Sequence, residues 1–166
     1  MKLVLKYALF ISSFSIIWKL SLFIANAQNT VLGKYYLFAY FLFILVGILF
    51  GLKEYIKKHP EGTSIGEKIK VGMKISGLNA LLYSAFIFLY YRWIDISFFA
   101  SKINKDLLLM KSRNNSPSEI EQYLNTVKIL YSPSSLFQAT LFGFLLIGII
   151  YSILCSLALH KRWIKL

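Results

Sequence analysis

The sequence predicts an all-α, polytopic membrane fold: four transmembrane helices with an external amphipathic helical hairpin between the third and fourth. Four apolar stretches, at about 3–25, 35–52, 71–91 and 139–159, each approach the roughly 20 residues that a helix needs to cross hydrocarbon. Hydrophobic residues make up 57% of the 166 positions and aromatic residues 17%, with a mean hydropathy of +0.61, more apolar surface than one soluble core of this size hides. The stretches are too long and too continuous for barrel strands. Backbone amides without water must then bond within their own segment, which leaves helices.

The formal charge of +12 is distributed as a topology signal. Lys2 and Lys6 open the first span, Lys53, Lys57, Lys58, Lys68, Lys70 and Lys74 crowd the connection between spans two and three, and Lys161, Arg162 and Lys165 follow the fourth. The connection after span one carries only Lys34, while the segment after span three mixes Arg92, Lys102, Lys105, Lys111, Arg113 and Lys128 with Asp95, Asp106, Glu119 and Glu121. Basic density in short loops marks the cytoplasmic side, so both termini are expected in the cytoplasm and the hairpin outside. The same lysines suit anionic lipid heads, and no nucleic-acid role is expected.

Span one begins with Lys2 and Lys6 and ends near Ala25-Asn26-Ala27, which imitates a cleavable secretory signal. Its apolar run exceeds the usual signal core of about 7 to 15 residues and contains Lys19, so it is read as a retained span. The polar residues 26–30 form a tight outer turn, and Tyr35 and Tyr36 place aromatic rings where span two meets the headgroups. Span two runs on through Lys53, Glu54 and Lys58 until Pro60, which lacks an amide donor and restricts His59, ends the helix. Ser64 and Glu67 have capping-box spacing and start the third helix, which emerges at Tyr90, Tyr91 and Trp93.

The hairpin occupies about 94–134. Ile96, Phe99, Ala100, Ile103, Leu107 and Met110 share one helical face, and Ile120, Tyr123, Leu124, Val127 and Tyr131 share another. Between them Ser116, Pro117 and Glu119 supply an N-cap, a first-turn proline and a second capping box. Pro133 among Ser132, Ser134 and Ser135 interrupts the pattern before span four. With no long linker and no internal repeat, the chain is read as one membrane domain, 1–166.

Gly51-Leu52-Lys53-Glu54-Tyr55, Ser64-Ile65-Gly66, Lys70-Val71-Gly72 and Tyr131-Ser132-Pro133 together resemble a bacterial membrane family known as domain of unknown function 4199, DUF4199, with Ile65 and Lys68 as departures from it. The resemblance extends over nearly the whole chain. It implies a four-helix protein of the bacterial inner membrane and carries no activity and no catalytic residues.

Candidate residues follow from what hydrocarbon tolerates. Gly72, Ser76, Ala80 and Ser84 recur every four residues in span three, Gly148, Ser152 and Ser156 in span four, and Gly47 and Gly51 in span two. Such ladders let helices approach closely, either within this bundle or against a partner. Asn79, in mid-span, needs a hydrogen-bond partner, for which Ser76, Ser12, Ser13, Ser15 and Ser152 are candidates; a substrate or ion site is the sharper alternative. Lys19 in the outer half of span one is expected to snorkel outward. Phe99, Leu107 and Tyr123 are the hairpin positions expected to contact a partner.

No phosphate-cradling loop, metalloprotease motif, nucleophile elbow or paired carboxylates occur, and Cys155 is the only cysteine. His59 and His160 have no carboxylate cluster beside them. No metal, cofactor or catalytic residue is therefore expected. The expected function is a non-enzymatic accessory or structural subunit associating with itself or a membrane partner in the bilayer. The alternative is an oligomeric small transporter or channel, with Asn79, Lys19 and the serines along a polar path.

Overall fold

A computed structural model describes residues 1–59 and 61–160. Pro60, expected to end span two, and Lys161, Arg162 and Lys165 lie outside the described residues. The described chain is all-α: α1 Lys2–Ile24, a 3₁₀ turn Ala27–Asn29, α2 Val31–Lys34, α3 Tyr36–Lys58, α4 Ile65–Leu89, α5 Phe98–Ser112, α6 Pro117–Leu130 and α7 Pro133–His160. Four helical segments, Lys2–Ile24, Tyr36–Lys58, Ile65–Ile94 and Pro133–His160, are long and apolar enough to cross a membrane. The two shorter helices α5 and α6 lie between the third and fourth of these.

Each boundary has a local cause. Asn26 ends the first helix by adopting φ 51°, the left-handed region that asparagine tolerates better than most residues. Gly33 is required in the turn that follows, because a Cβ there would collide with the Gln28 carbonyl. Ser64 starts α4 as a capping box: its amide donates to Glu67 Oε2 at 2.9 Å and its hydroxyl accepts from the Glu67 amide at 3.2 Å. At its far end α4 widens into a π-helical turn, Tyr90–Ile94, closed by the Asp95 amide donating to the Tyr90 carbonyl at 2.9 Å.

The fourth span is longer than its apolar run. Proline at Pro133 does not separate hairpin from span; it is the first residue of α7. A first-turn proline gives up an amide that has no intrahelical partner anyway, and the Ser132 hydroxyl accepts the Ser135 amide at 3.2 Å in place of the missing turn.

The chain divides into two compact units, one comprising Met1–Tyr83 with the residues from Leu141 onward, the other Ser84–Thr140. In the first unit the buried side chains include Ala8, Ile11, Tyr40, Ile44, Ile48, Ile75 and Phe144, while Phe10, Phe14, Leu42, Phe50, Phe142, Leu146 and Ile150 face outward. Large apolar side chains thus lie on both sides of the helices, an arrangement that lipid tolerates, since helices in hydrocarbon associate by close packing and hydrogen bonds rather than by hiding apolar surface.

Candidate functional site

In the first unit the small-residue ladders of α4 and α7 meet one another. A Cβ built on Gly72 would lie 2.8 Å from Ser152 Cβ, and one on Gly148 would strike Ser76 Cβ and lie 2.5 Å from its Oγ. Two residues four apart on α4 thus oppose two residues four apart on α7, running antiparallel. Gly47 receives the Ile11 side chain of α1, and Gly51 receives Ile75 and the Tyr7 ring. Ala80, Ser84 and Ser156 are fully buried as well. All nine ladder residues therefore sit inside this chain.

Beside that seam lies a polar node. Asn79 is fully buried; its Oδ1 accepts from Ser12 Oγ of α1 and its Nδ2 donates to Tyr40 Oη of α3, both at 2.9 Å. Of the serines considered from sequence, only Ser12 bonds to it. Ser15, Ser76 and Ser152 donate instead to the carbonyls of Ile11, Met73 and Gly148 on their own helices, a local alternative always open to a helical serine. Tyr40 was missed because an aromatic in a span reads as packing or as an interfacial anchor; its register, one helix away from Asn79, exists only in three dimensions. The Tyr40 ring also stacks on Phe144 at 4.0 Å and 21° and packs against Tyr83 at 4.5 Å. The node is thus one amide, two hydroxyls and three rings, held by four helices.

Lys19 is covered, only 5% exposed, with Nζ 4.9 Å from the centroid of the Tyr36 ring. Tyr36 is the first residue of α3, so the ammonium does run toward the end of the span, but beneath an aromatic face. At the other end of α1, Glu54 Oε2 accepts from Lys6 Nζ at 2.6 Å and Tyr7 Oη at 2.8 Å, and Oε1 from Lys58 Nζ at 2.7 Å. The carboxylate ties α1 to α3; the exposed lysines limit what each pair contributes.

In the second unit, Tyr123 Oη donates to Asp106 Oδ2 at 2.6 Å and Lys102 Nζ lies 4.5 Å from the Tyr131 ring centroid, so α5 and α6 are clasped at two levels. Burial and then the neighbouring Asp106 carboxylate push the Tyr123 hydroxyl pKa up, keeping it a donor. Phe99 packs on Tyr91 and Phe98, with centroids at 5.3 and 5.4 Å, and Leu107 is half-buried. Phe99 and Tyr123 thus make contacts within this unit, and Leu107 is partly covered. Leu108, Leu109, Ile129 and Leu130 are instead the exposed apolar side chains of the two helices. Ile96, expected on the buried face, is exposed because α5 begins only at Phe98.

Helix α6 begins with the second capping box: Ser116 N donates to Glu119 Oε2 at 2.7 Å and Ser116 Oγ accepts from Glu119 N at 3.3 Å. The Ser116 amide first, then its hydroxyl and Asn115, hold the Glu119 carboxyl below its ordinary range. A depressed carboxyl pKa stabilises the fold above the ordinary value and loses that contribution as pH falls through the lowered one. Amide exchange in the first turn of α6 should therefore accelerate on acidification beyond the intrinsic chemical trend. Replacing Ser116 by alanine should produce a faster first turn at neutral pH, at a cost of about 1 kcal/mol; unchanged protection in both cases would show that the cap is not formed.

Among the described residues no three His, Cys, Asp or Glu side chains come together, and Cys155 is a buried free thiol. Fold and site define a multi-pass α-helical membrane protein with a buried Ser12–Asn79–Tyr40 hydrogen-bonded node. The chain belongs to the family described as protein of unknown function, DUF4199, whose model matches residues 6–161. No curated protein and no solved structure matches it.

Proposed function

We propose that this protein is a non-enzymatic accessory or structural subunit of the bacterial inner membrane, with both termini cytoplasmic, and that it associates through α5 and α6. The observation that carries the reading is the exposure of Leu108, Leu109, Ile129 and Leu130 on helices that do not span the membrane. Scattered apolar surface residues are ordinary, but two adjacent pairs on consecutive helices favour a partner that covers them. The fitting occupant is an apolar helix face, supplied by a membrane protein or by a second copy of this chain. The ladders are not left for that purpose, since their residues are buried within this chain, and the Asn79 amide is engaged by Ser12 and Tyr40, which speaks against a polar path along the bundle. Lysine-rich connections at Lys53 to Lys74 support the orientation, and an even number of spans returns the chain to its starting side.

Purification from native membranes in a gentle detergent should yield an assembly heavier than the monomer, either with a stoichiometric second protein or as a homo-oligomer. Leu108→Glu combined with Ile129→Glu should reduce it to monomer without loss of thermal stability, because both side chains already face outward. A wild-type monomer, or an assembly indifferent to the double substitution, would sink the reading.

A further inference from the structure

Helix α6 presents two unlike faces. Ile120, Tyr123 and Leu124 are partly covered and Val127 is buried, whereas Ser118, Gln122, Asn125 and Ile129 are exposed and fall within about 60° of one another on the opposite side of the helix. These four, with Glu121, line an open groove of about 650 Å³. No charge lies along the centre of the stripe, although an outward face is where a helix in water ordinarily carries its charges.

The charges lie at its edge. Glu121 and Lys128 flank the same edge of the stripe, seven residues and so roughly 10 Å apart. Both are exposed, and among the described residues neither forms a hydrogen bond or ion pair through its side chain. Opposite charges two turns apart, with their midpoint between Leu124 and Asn125, are complementary to a second copy of themselves. A two-fold axis through that midpoint lays another α6 antiparallel on the first and keeps each edge of the stripe on its own side. Glu121 of each copy then faces Lys128 of the other. Asn125 lies next to the axis and meets its own counterpart, and a carboxamide carries both the donor and the acceptor that such a meeting needs. Ile129 falls level with the Gln122 stem of the other copy. A parallel pair would instead set Glu121 against Glu121 and Lys128 against Lys128.

We propose that the outer face of α6 binds a second copy of this chain, as an antiparallel α6 pair in which Glu121 and Lys128 form two reciprocal ion pairs about Asn125. The pairing rests on the association through α5 and α6 and names its occupant, since charge complementarity selects the same helix of another copy over an unrelated apolar face. Exposed ion pairs contribute little affinity and much specificity, so they set direction and register while Ile129 and the amides become covered.

The test uses the full chain in liposomes at high lipid excess, with Cys155→Ser to remove the native thiol and one cysteine placed on the stripe. Under copper phenanthroline and air, Asn125→Cys should give a covalent dimer. Ser118→Cys should not, because the antiparallel register holds its two copies roughly 20 Å apart, beyond the about 7 Å that a disulfide spans between Cα atoms. Glu121→Lys alone, or Lys128→Glu alone, should lower dimer formation by Asn125→Cys at least about tenfold. The two together should restore it, because the swap returns opposite charges to each contact. All of these α6 side chains are exposed, so the variants leave the helix intact. Equal cross-linking by Asn125→Cys and Ser118→Cys, or charge reversals without effect, would overturn the antiparallel register. A heavier native assembly in which Asn125→Cys forms no dimer overturns this pairing but leaves association through α5 and α6 standing; a monomer in native membranes overturns both.

Discussion

Gly148→Leu is expected to separate α7 from α4. At this position even a methyl group would strike Ser76 Cβ and lie 2.5 Å from its Oγ. Ser76 is 2% exposed and has no free direction in which to retreat. Overpacking a closed core costs about 1–3 kcal/mol, and here the added atoms meet a neighbouring helix at closest approach, so the upper part of that range or beyond applies. Lipid offers no compensating hydrophobic drive to hold the helices together, since the tails solvate leucine as well as the interior does. Gly143, five residues earlier on α7, is the internal control: nothing lies within 4 Å of a Cβ placed there. Denaturant-induced unfolding in bicelles should show a large loss for Gly148→Leu and little for Gly143→Leu. Gly148→Ala paired with Ser76→Gly should recover part of the loss of Gly148→Ala alone. Equal stability for the two leucine variants would mean that α4 and α7 do not pack at this register.

Tyr40 supports the second large effect, and its two substitutions divide the contribution. Tyr40→Phe keeps the ring on Phe144 and Tyr83 but removes the acceptor of Asn79 Nδ2, leaving a buried amide hydrogen without its partner. Interhelical hydrogen bonds in membranes have been worth about 0.6 to 1.7 kcal/mol, and a loss in that range is expected. Tyr40→Ala also removes a ring that is 1% exposed and in contact with two others. Truncating a buried aromatic costs about 3–5 kcal/mol through the lost contacts and the cavity left behind. The order wild type, Tyr40→Phe, Tyr40→Ala should hold in any equilibrium unfolding measurement. Asn79→Leu should cost less when made on Tyr40→Phe than on wild type, because the bond it removes is already gone. Additive losses would show that amide and hydroxyl do not interact.

Much of the fold was legible along the chain, because the signals were local. Spans one to four announced themselves by length and hydropathy, and Ser64 with Glu67, Ser116 with Glu119, and Pro117 act within one helical turn of their own sequence. Pro133 was misplaced because a proline reads equally as an interruption and as a first helical residue; the Ser132 hydroxyl decides between them. The candidate site was legible in kind. A mid-span asparagine demanded a partner, and a repeat of small residues demanded a close neighbour.

Which neighbour was not legible. Lipid is as apolar as the interior, so a membrane helix carries no polar face to reveal its rotation, and Tyr40 looks like any other span aromatic. The same holds for Lys19 beneath Tyr36, a contact with a helix distant in sequence. On α5 and α6 the apolar residues outnumber one face, so the pattern admitted more than one rotation, and the Tyr123–Asp106 and Lys102–Tyr131 contacts selected the one that leaves Leu108 and Ile129 outside. By itself, then, the sequence determined the number of spans, the two capping boxes that start α4 and α6, and the need for a buried polar pairing. Only tertiary structure decided the rotation of each helix and hence the identity of every pair, because in a bilayer rotation is set by side-chain packing between helices rather than by contrast with the solvent.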